Sequence, residues 1–138
     1  MPNALPFVAA AFVCERVLEE KDKVLSAIRI VDTYYLAQPS LGLPANAAPL
    51  VQLTVLASVK SGDVIGEHEI TIALRTPSGK GDKQIGQWNV LLNGGEQGAN
   101  VIMNFAMQAS DLGLYWFDLA FAGKLLTSIP LKLARLAD

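Results

Sequence analysis

The stretch Gly113-Leu114-Tyr115-Trp116-Phe117-Asp118-Leu119-Ala120-Phe121-Ala122-Gly123-Lys124-Leu125-Leu126-Thr127-Ser128-Ile129-Pro130-Leu131-Lys132-Leu133 decides the fold class. Two apolar arms, the first rich in aromatics, flank the pair Ala122-Gly123. Aromatic and β-branched side chains suit a pleated, half-buried surface, and Gly123 supplies the backbone freedom of a tight reversal. The stretch therefore predicts the last hairpin of an all-β domain. Pro130 cannot donate to a central ladder, so the closing strand is expected along a sheet edge. By alternation Tyr115, Phe117, Leu119 and Phe121 share one face, and Leu114, Trp116, Asp118 and Ala120 the other.

Moving upstream, Asn93-Gly94-Gly95-Glu96-Gln97-Gly98 is expected to separate a strand near residues 85–92 from one near 99–108. In the second of these Val101, Met103, Phe105 and Met107 line one face. Residues 67–76 alternate, with Ile70, Ile72 and Leu74 inward and Glu69, Thr71 and Arg75 outward, and run into a turn over residues 77–82. Ser61-Gly62-Asp63 is expected to turn the chain after a strand over residues 50–60, whose Val51, Leu53, Val55, Ala57 and Val59 take one face. Residues 37–49 hold Pro39, Gly42, Pro44, Asn46 and Pro49 with almost no charge, which reads as a crossing loop.

Residues 10–36 admit two readings. Val13, Val17, Val24, Ile28 and Val31 fit a helical face. Against this, Val24, Ser26, Ile28, Ile30 and Asp32 alternate with Leu25, Ala27, Arg29, Val31 and Thr33, and the segment ends in Thr33-Tyr34-Tyr35. That pattern favours strand, charged turn at about residues 19–23, strand. The sum is about eight short strands with turn signals spaced as in a sandwich. The expectation is one antiparallel β-sandwich domain over residues 1–138, with no repeat and no linker.

A chain of 138 residues can bury about two-thirds of its unfolded surface, enough for one core. With 51% hydrophobic and 17% charged residues it lies at the apolar end of soluble composition. A net charge of −2, with basic residues scattered from Arg16 to Arg135, gives no electrostatic grip on nucleic acid or an anionic membrane. No run reaches the ~20 apolar residues of a membrane span. Cys14 is the only cysteine, which excludes an intrachain disulfide and leaves a cysteine-based metal site without partners. It reads as a small buried hydrophobe rather than a reactive thiol. The apolar residues 5–13 before Cys14 suggest a lipoprotein signal, yet no Lys or Arg precedes them and the run is short and close to Met1. The expectation is a reduced, cytoplasmic protein.

The opening Ala11-Phe12-Val13-Cys14-Glu15-Arg16-Val17-Leu18-Glu19-Glu20-Lys21-Asp22-Lys23-Val24-Leu25 reads as a strand, a short acidic turn and a second strand. The closing pattern of Gly113, Tyr115, Phe117, Gly123, Pro130 and Leu131, with an alternating strand running into Pro77-Ser78-Gly79, completes a resemblance. Together these features resemble a family of small bacterial all-β proteins of uncharacterised function. The resemblance implies an immunoglobulin-like sandwich and brings no catalytic residues; fold analogy alone licenses no function. Lys23 departs from the pattern, which has Gly in the first turn.

The residues with chemical capacity are dispersed. His68, the only histidine, is flanked by Glu67 and Glu69, which point to the opposite face of a strand and cannot orient it as a triad would. It reads as a surface histidine, and no Gly-x-Ser-x-Gly elbow frames a nucleophile. Neither residues 93–98 nor Ser78-Gly79-Lys80-Gly81 is followed by the Lys-Ser/Thr and helix of a phosphate loop. Asp63, Asp82, Asp111 and Asp118 lack the spacing of a calcium loop, and turn aspartates ordinarily bond nearby backbone. No catalytic, cofactor-binding or metal-binding residue is therefore assigned.

The face bearing Trp116 is the best candidate for contact with a partner, because exposed aromatics often mark such surfaces. Apolar residues on both faces of several strands (Val51/Leu56, Val101/Ile102, Leu125/Leu126) must also meet something outside a two-sheet core. Trp116, Leu114 and Asp118, with Leu41 and Leu43 of the crossing loop, are the candidate interaction residues. The expected role is a non-enzymatic module that forms a homo-oligomer or binds another protein. A small-ligand binder with a pocket between the sheets is the alternative, and a carboxylate-dependent hydrolase a further one.

Overall fold

Alternation wins over helical spacing in residues 10–36. The computed structural model describes residues 4–36 and 49–136, and every regular element in them is a strand. β1 (Phe7–Glu19) and β2 (Leu25–Ile30) form an antiparallel hairpin with Cys14 opposite Ile30 and Glu19 opposite Leu25. In its turn the Glu20 N–H donates to the Val24 carbonyl at 2.8 Å and the Lys23 N–H to the Glu20 carbonyl at 2.9 Å. Lys23 takes φ 72°, the left-handed conformation that glycine adopts without strain. The departure noted in the sequence thus falls at the one turn position where a side chain is costly.

The remaining strands are β3 (Thr33–Leu36), β4 (Leu50–Arg75), β5 (Lys83–Gln108), β6 (Gly113–Phe121) and β7 (Lys124–Arg135). Seven elements stand among the described residues where about eight were expected: the strand expected after the first turn divides into β2 and β3, while two pairs of strands merge because the Ser61-Gly62-Asp63 and Asn93 to Gly98 segments do not reverse the chain. β4 and β5 run straight through them as one hairpin of two 26-residue strands. The pairing slips between Lys60 and Ile65, where Gly62 lies opposite Gly95 with φ of 59° and 68°. Such bulges bend a strand without ending it. A second constraint is steric: a Cβ on Gly98 would lie 1.8 Å from the Val59 carbonyl oxygen, so only glycine lets the strands approach there.

The bend makes two layers from one continuous ladder. Residues 50–60 of β4 pair with β1 on one side and with residues 98–108 of β5 on the other, so the first layer has the order β2-β1-β4-β5. Residues 65–75 of β4 pair with β6 and with residues 83–93 of β5, giving the second layer β5-β4-β6-β7-β3. Between β2 and β3 the chain changes layer within two residues: Val31 N–H donates to Val13 in the first, and Asp32 carbonyl accepts from Lys132 in the second. β3 runs parallel to β7, the single parallel pairing among the described residues. β7 is consequently not the edge along its whole length. β3 flanks it from Lys132 onward, and Pro130 sits just before that contact.

The faces expected from alternation are the faces observed. Val51, Leu53, Val55, Ala57 and Val59 of the first layer meet Ile70, Ile72, Phe117, Leu119 and Leu131 of the second in one core. Phe105 and Phe117 touch across the layers with ring centroids 5.0 Å apart. An arch over residues 109–112 carries the chain from β5 to β6, and Tyr115 fastens it. Its buried ring donates a hydrogen bond from the hydroxyl to the Asp111 carbonyl four residues back, at 2.6 Å. A tyrosine at the start of a strand bonded to backbone just upstream is the tyrosine corner of immunoglobulin-like sandwiches. Burial pushes the Tyr115 phenol above its ordinary range, the Asp111 charge adds to this, and the hydrogen bond pulls the other way.

Two stability changes follow. Tyr115→Phe keeps the ring and leaves the Asp111 carbonyl without its hydroxyl donor, and urea unfolding is expected to show a loss of about 1–2 kcal/mol. Lys23→Gly removes the left-handed strain and is expected to gain about 0.5–1 kcal/mol in the same assay. An unchanged or lowered midpoint for Lys23→Gly contradicts the turn geometry.

Candidate functional site

The outer face of the second layer is built from the residues that alternation sends away from the core. One row crosses three strands, Arg75 of β4 beside Trp116 of β6 beside Pro130 of β7. The next row places Asp118 opposite Ser128. Arg75 joins the rows: its Nε and Nη2 donate to the two Asp118 carboxylate oxygens at 2.7 and 2.9 Å. Its guanidinium carbon lies 5.5 Å from the Trp116 ring centroid, within cation–π range. The Ser128 hydroxyl donates to Asp118 at 2.7 Å. Asp118 is thereby half-buried, and its Arg75 hydrogen bonds hold the carboxyl below its usual range. Desolvation opposes this, while Ser128 and the Arg75 charge assist it.

Trp116 itself is half-buried and Leu114, one alternation away, is 43% exposed. Tyr35 of β3, 60% exposed, extends the same side of the layer beyond β7. The face is therefore an aromatic and aliphatic stripe around a clamped arginine. Leu41 and Leu43 lie outside the described residues. Sequence reading placed Trp116, Leu114 and Asp118 on one surface but missed Arg75 and Ser128 as their partners. Arg75 is 43 residues from Asp118, and only the β4–β6 register joins them.

The first layer has an apolar outer row of its own. Phe12, Leu56 and Ile102 lie side by side on β1, β4 and β5. Leu56 is 7% exposed because its neighbours cover it. Cys14 is fully buried beside this row, its thiol weakly bonded to the Arg16 carbonyl at 3.5 Å. Burial pushes the thiol up, the reverse of what a reactive cysteine needs, and the hydrogen bond offsets it only in part.

His68 is half-buried, with part of its ring still at the surface. It shares the inward register of Ile70 and Ile72 at the end of the core. Its ring lies 4.8 Å from that of Phe121, with Nε2 2.8 Å from the Ile65 carbonyl. The turn aspartates do local work. Asp82 accepts from the Thr76 N–H at 2.6 Å and its hydroxyl at 3.2 Å, and Asp111 accepts from Ser78 at 2.7 Å. Among the described residues no three His, Cys, Asp or Glu side chains gather as a metal site would require.

The two layers part along one side. A half-open cleft of about 660 Å³ lies between residues 103–108 of β5 and the turn after β4. Met103, Phe105 and Met107 face Leu74, Tyr115 and Phe117 across it, with Lys80 and Lys83 at its rim.

No family model matches the chain, and no curated protein matches it. Among solved structures it is similar to an immunoglobulin-like protein from Pseudomonas aeruginosa, at 13% identity and a TM-score of 0.41, over 95% of this chain and 98% of that one. It is also similar to part of a β-glucosidase from Listeria innocua, at 10% identity and a TM-score of 0.42, over 95% of this chain and 17% of the enzyme. A β-glucosidase from Kluyveromyces marxianus matches at 14% identity and a TM-score of 0.42, over 64% of this chain and 14% of the enzyme. The chain thus spans less than a fifth of either enzyme. Likenesses at this level carry no activity across.

The Asp118 clamp has a signed pH dependence. A carboxyl whose folded pKa is depressed contributes stability above its unfolded value of about 3.9, and loses it as pH falls through the folded value. Asp118→Asn is expected to be less stable than the parent at pH 7. The gap should narrow steadily below about pH 4. Urea unfolding at pH 7, 5 and 3 measures it, and a gap that widens on acidification contradicts the clamp.

Proposed function

We propose that this chain is a non-enzymatic β-sandwich module that binds protein through the outer face of its second layer, and that its first partner is a second copy of itself. One observation carries the reading. Trp116, with Leu114 and Pro130 beside it, sits on a face whose arginine is already held by Asp118, which Ser128 in turn holds. Trp, Tyr and Arg dominate binding hot spots because they bury much area for little lost side-chain freedom, and here that freedom is largely spent before contact. A formal charge of −2 leaves little repulsion between copies. The non-enzymatic part rests on how polar groups are used: Asp118, Asp82, Asp111, His68 and the Glu15–Arg29 ion pair at 2.9 Å all serve local structure.

Sedimentation equilibrium at tens of micromolar tests this. The parent chain is expected to self-associate, and Leu114→Glu and Trp116→Ala each to weaken association at least about tenfold. Leu114 is exposed on its strand, so the glutamate leaves the core intact. A parent that stays monomeric throughout, or association that both variants leave unchanged, overturns the proposal.

A further inference from the structure

We infer that the cleft between the two layers binds an amphipathic monocarboxylate with a flexible apolar chain, of which a medium-chain fatty acid is the simplest form. The site is separate from the Trp116 face and independent of association there. Its floor is apolar: Met103, Phe105 and Met107 of the first layer oppose Leu74, Tyr115 and Phe117 of the second. Phe105 and Phe117 already touch, which closes the cleft toward the core. A volume of about 660 Å³ is within the range of small-ligand sites, which bury most of a ligand against apolar walls and orient it with a few polar groups.

The rim supplies those polar groups. Lys80 and Lys83 both border the cleft, and among the described residues neither has an ion-pair partner. The nearby acids are engaged elsewhere, Asp82 on Thr76 and Asp111 on Ser78. The charged lining residues are Lys80, Lys83 and Asp111, a balance of +1 that one carboxylate neutralises. Two ammonium groups above an apolar floor favour an anionic head on an apolar body over a neutral lipid or a small hydrophilic acid. The floor favours an alkyl chain over a flat ring. Met103 and Met107 are flexible thioethers that repack around a chain of variable shape. Among the described residues, 98–108 of β5 pair only with β4, so the cleft opens on the other edge of that strand. A bound chain therefore enters without breaking a ladder.

The chain has three methionines, so methyl-labelled methionine gives a sparse spectrum in which Met103 and Met107 report on the cleft directly. Titration with dodecanoate below its micelle concentration is expected to shift both methyls with a roughly micromolar dissociation constant. Dodecanol and butyrate, which lack the head charge and the long body respectively, should bind at least about tenfold more weakly. The double variant Lys80→Gln/Lys83→Gln, at two exposed positions, should lose at least about tenfold for dodecanoate while keeping the parent's unfolding midpoint. Unmoved methionine methyls, dodecanol binding as well as dodecanoate, or a double variant with undiminished affinity each overturn the inference. Sedimentation of the same samples reports self-association separately, so failure of one proposal is distinguishable from failure of the other.

Discussion

The fold depends on two strands that each serve both layers. A sheet normally hides one face by packing on a separate element, and the chain must break its ladder to get there. Here β4 and β5 cross from one layer to the other as a paired hairpin, so backbone hydrogen bonding resumes on either side of a glycine bulge. Everything else attaches to that frame. β1 and β2 extend the half formed by residues 50–60, and β6, β7 and β3 extend the half formed by residues 65–75. The tight approach of Gly98 to Val59 and the switch of residues 31–32 between layers are further marks of the same economy of backbone bonding.

A continuous ladder of this kind leaves edges and outer faces to be managed. Long charged side chains are scarce, and the outer faces are covered by cross-strand neighbours instead. Phe12 and Ile102 shield Leu56, and Arg75 shields Trp116 while bonding Asp118. The first solution leaves an apolar row flanked by Ser58 and Asn100 on one side and Thr54 and Asn104 on the other. The second leaves an aromatic face with its arginine held in place, which suits recognition. Along the β5 side the layers separate, and a cleft with an apolar floor and a basic rim results. The two features lie on different surfaces and answer to different chemistry.

Alternation was the legible part of the sequence. It assigned the inward faces of residues 51–59, 70–74, 101–107 and 115–121, because a period of two is fixed by the strand itself. It also placed Leu114, Trp116 and Asp118 together. Glycine-rich stretches were less legible. Ser61-Gly62-Asp63 and residues 93–98 have turn composition, yet a glycine at positive φ serves a bulge as well as a reversal. Only the pairing of the two stretches with each other separates these cases, and neither contains that information alone.

What the sequence by itself determined is therefore local: strand identity, side-chain face, the hairpin reversals at about residues 19–23 and at 122–123, and the dispersal of ionisable groups. Those follow from propensity and spacing, which act within a few residues. Tertiary structure alone decided that Arg75 meets Asp118 and Trp116, that β3 joins β7 in parallel, and that the layers open beside Met103 and Met107. Each of these joins positions from different strands. Register and the bend in the long hairpin set them, and both are properties of the assembled ladder rather than of any one segment.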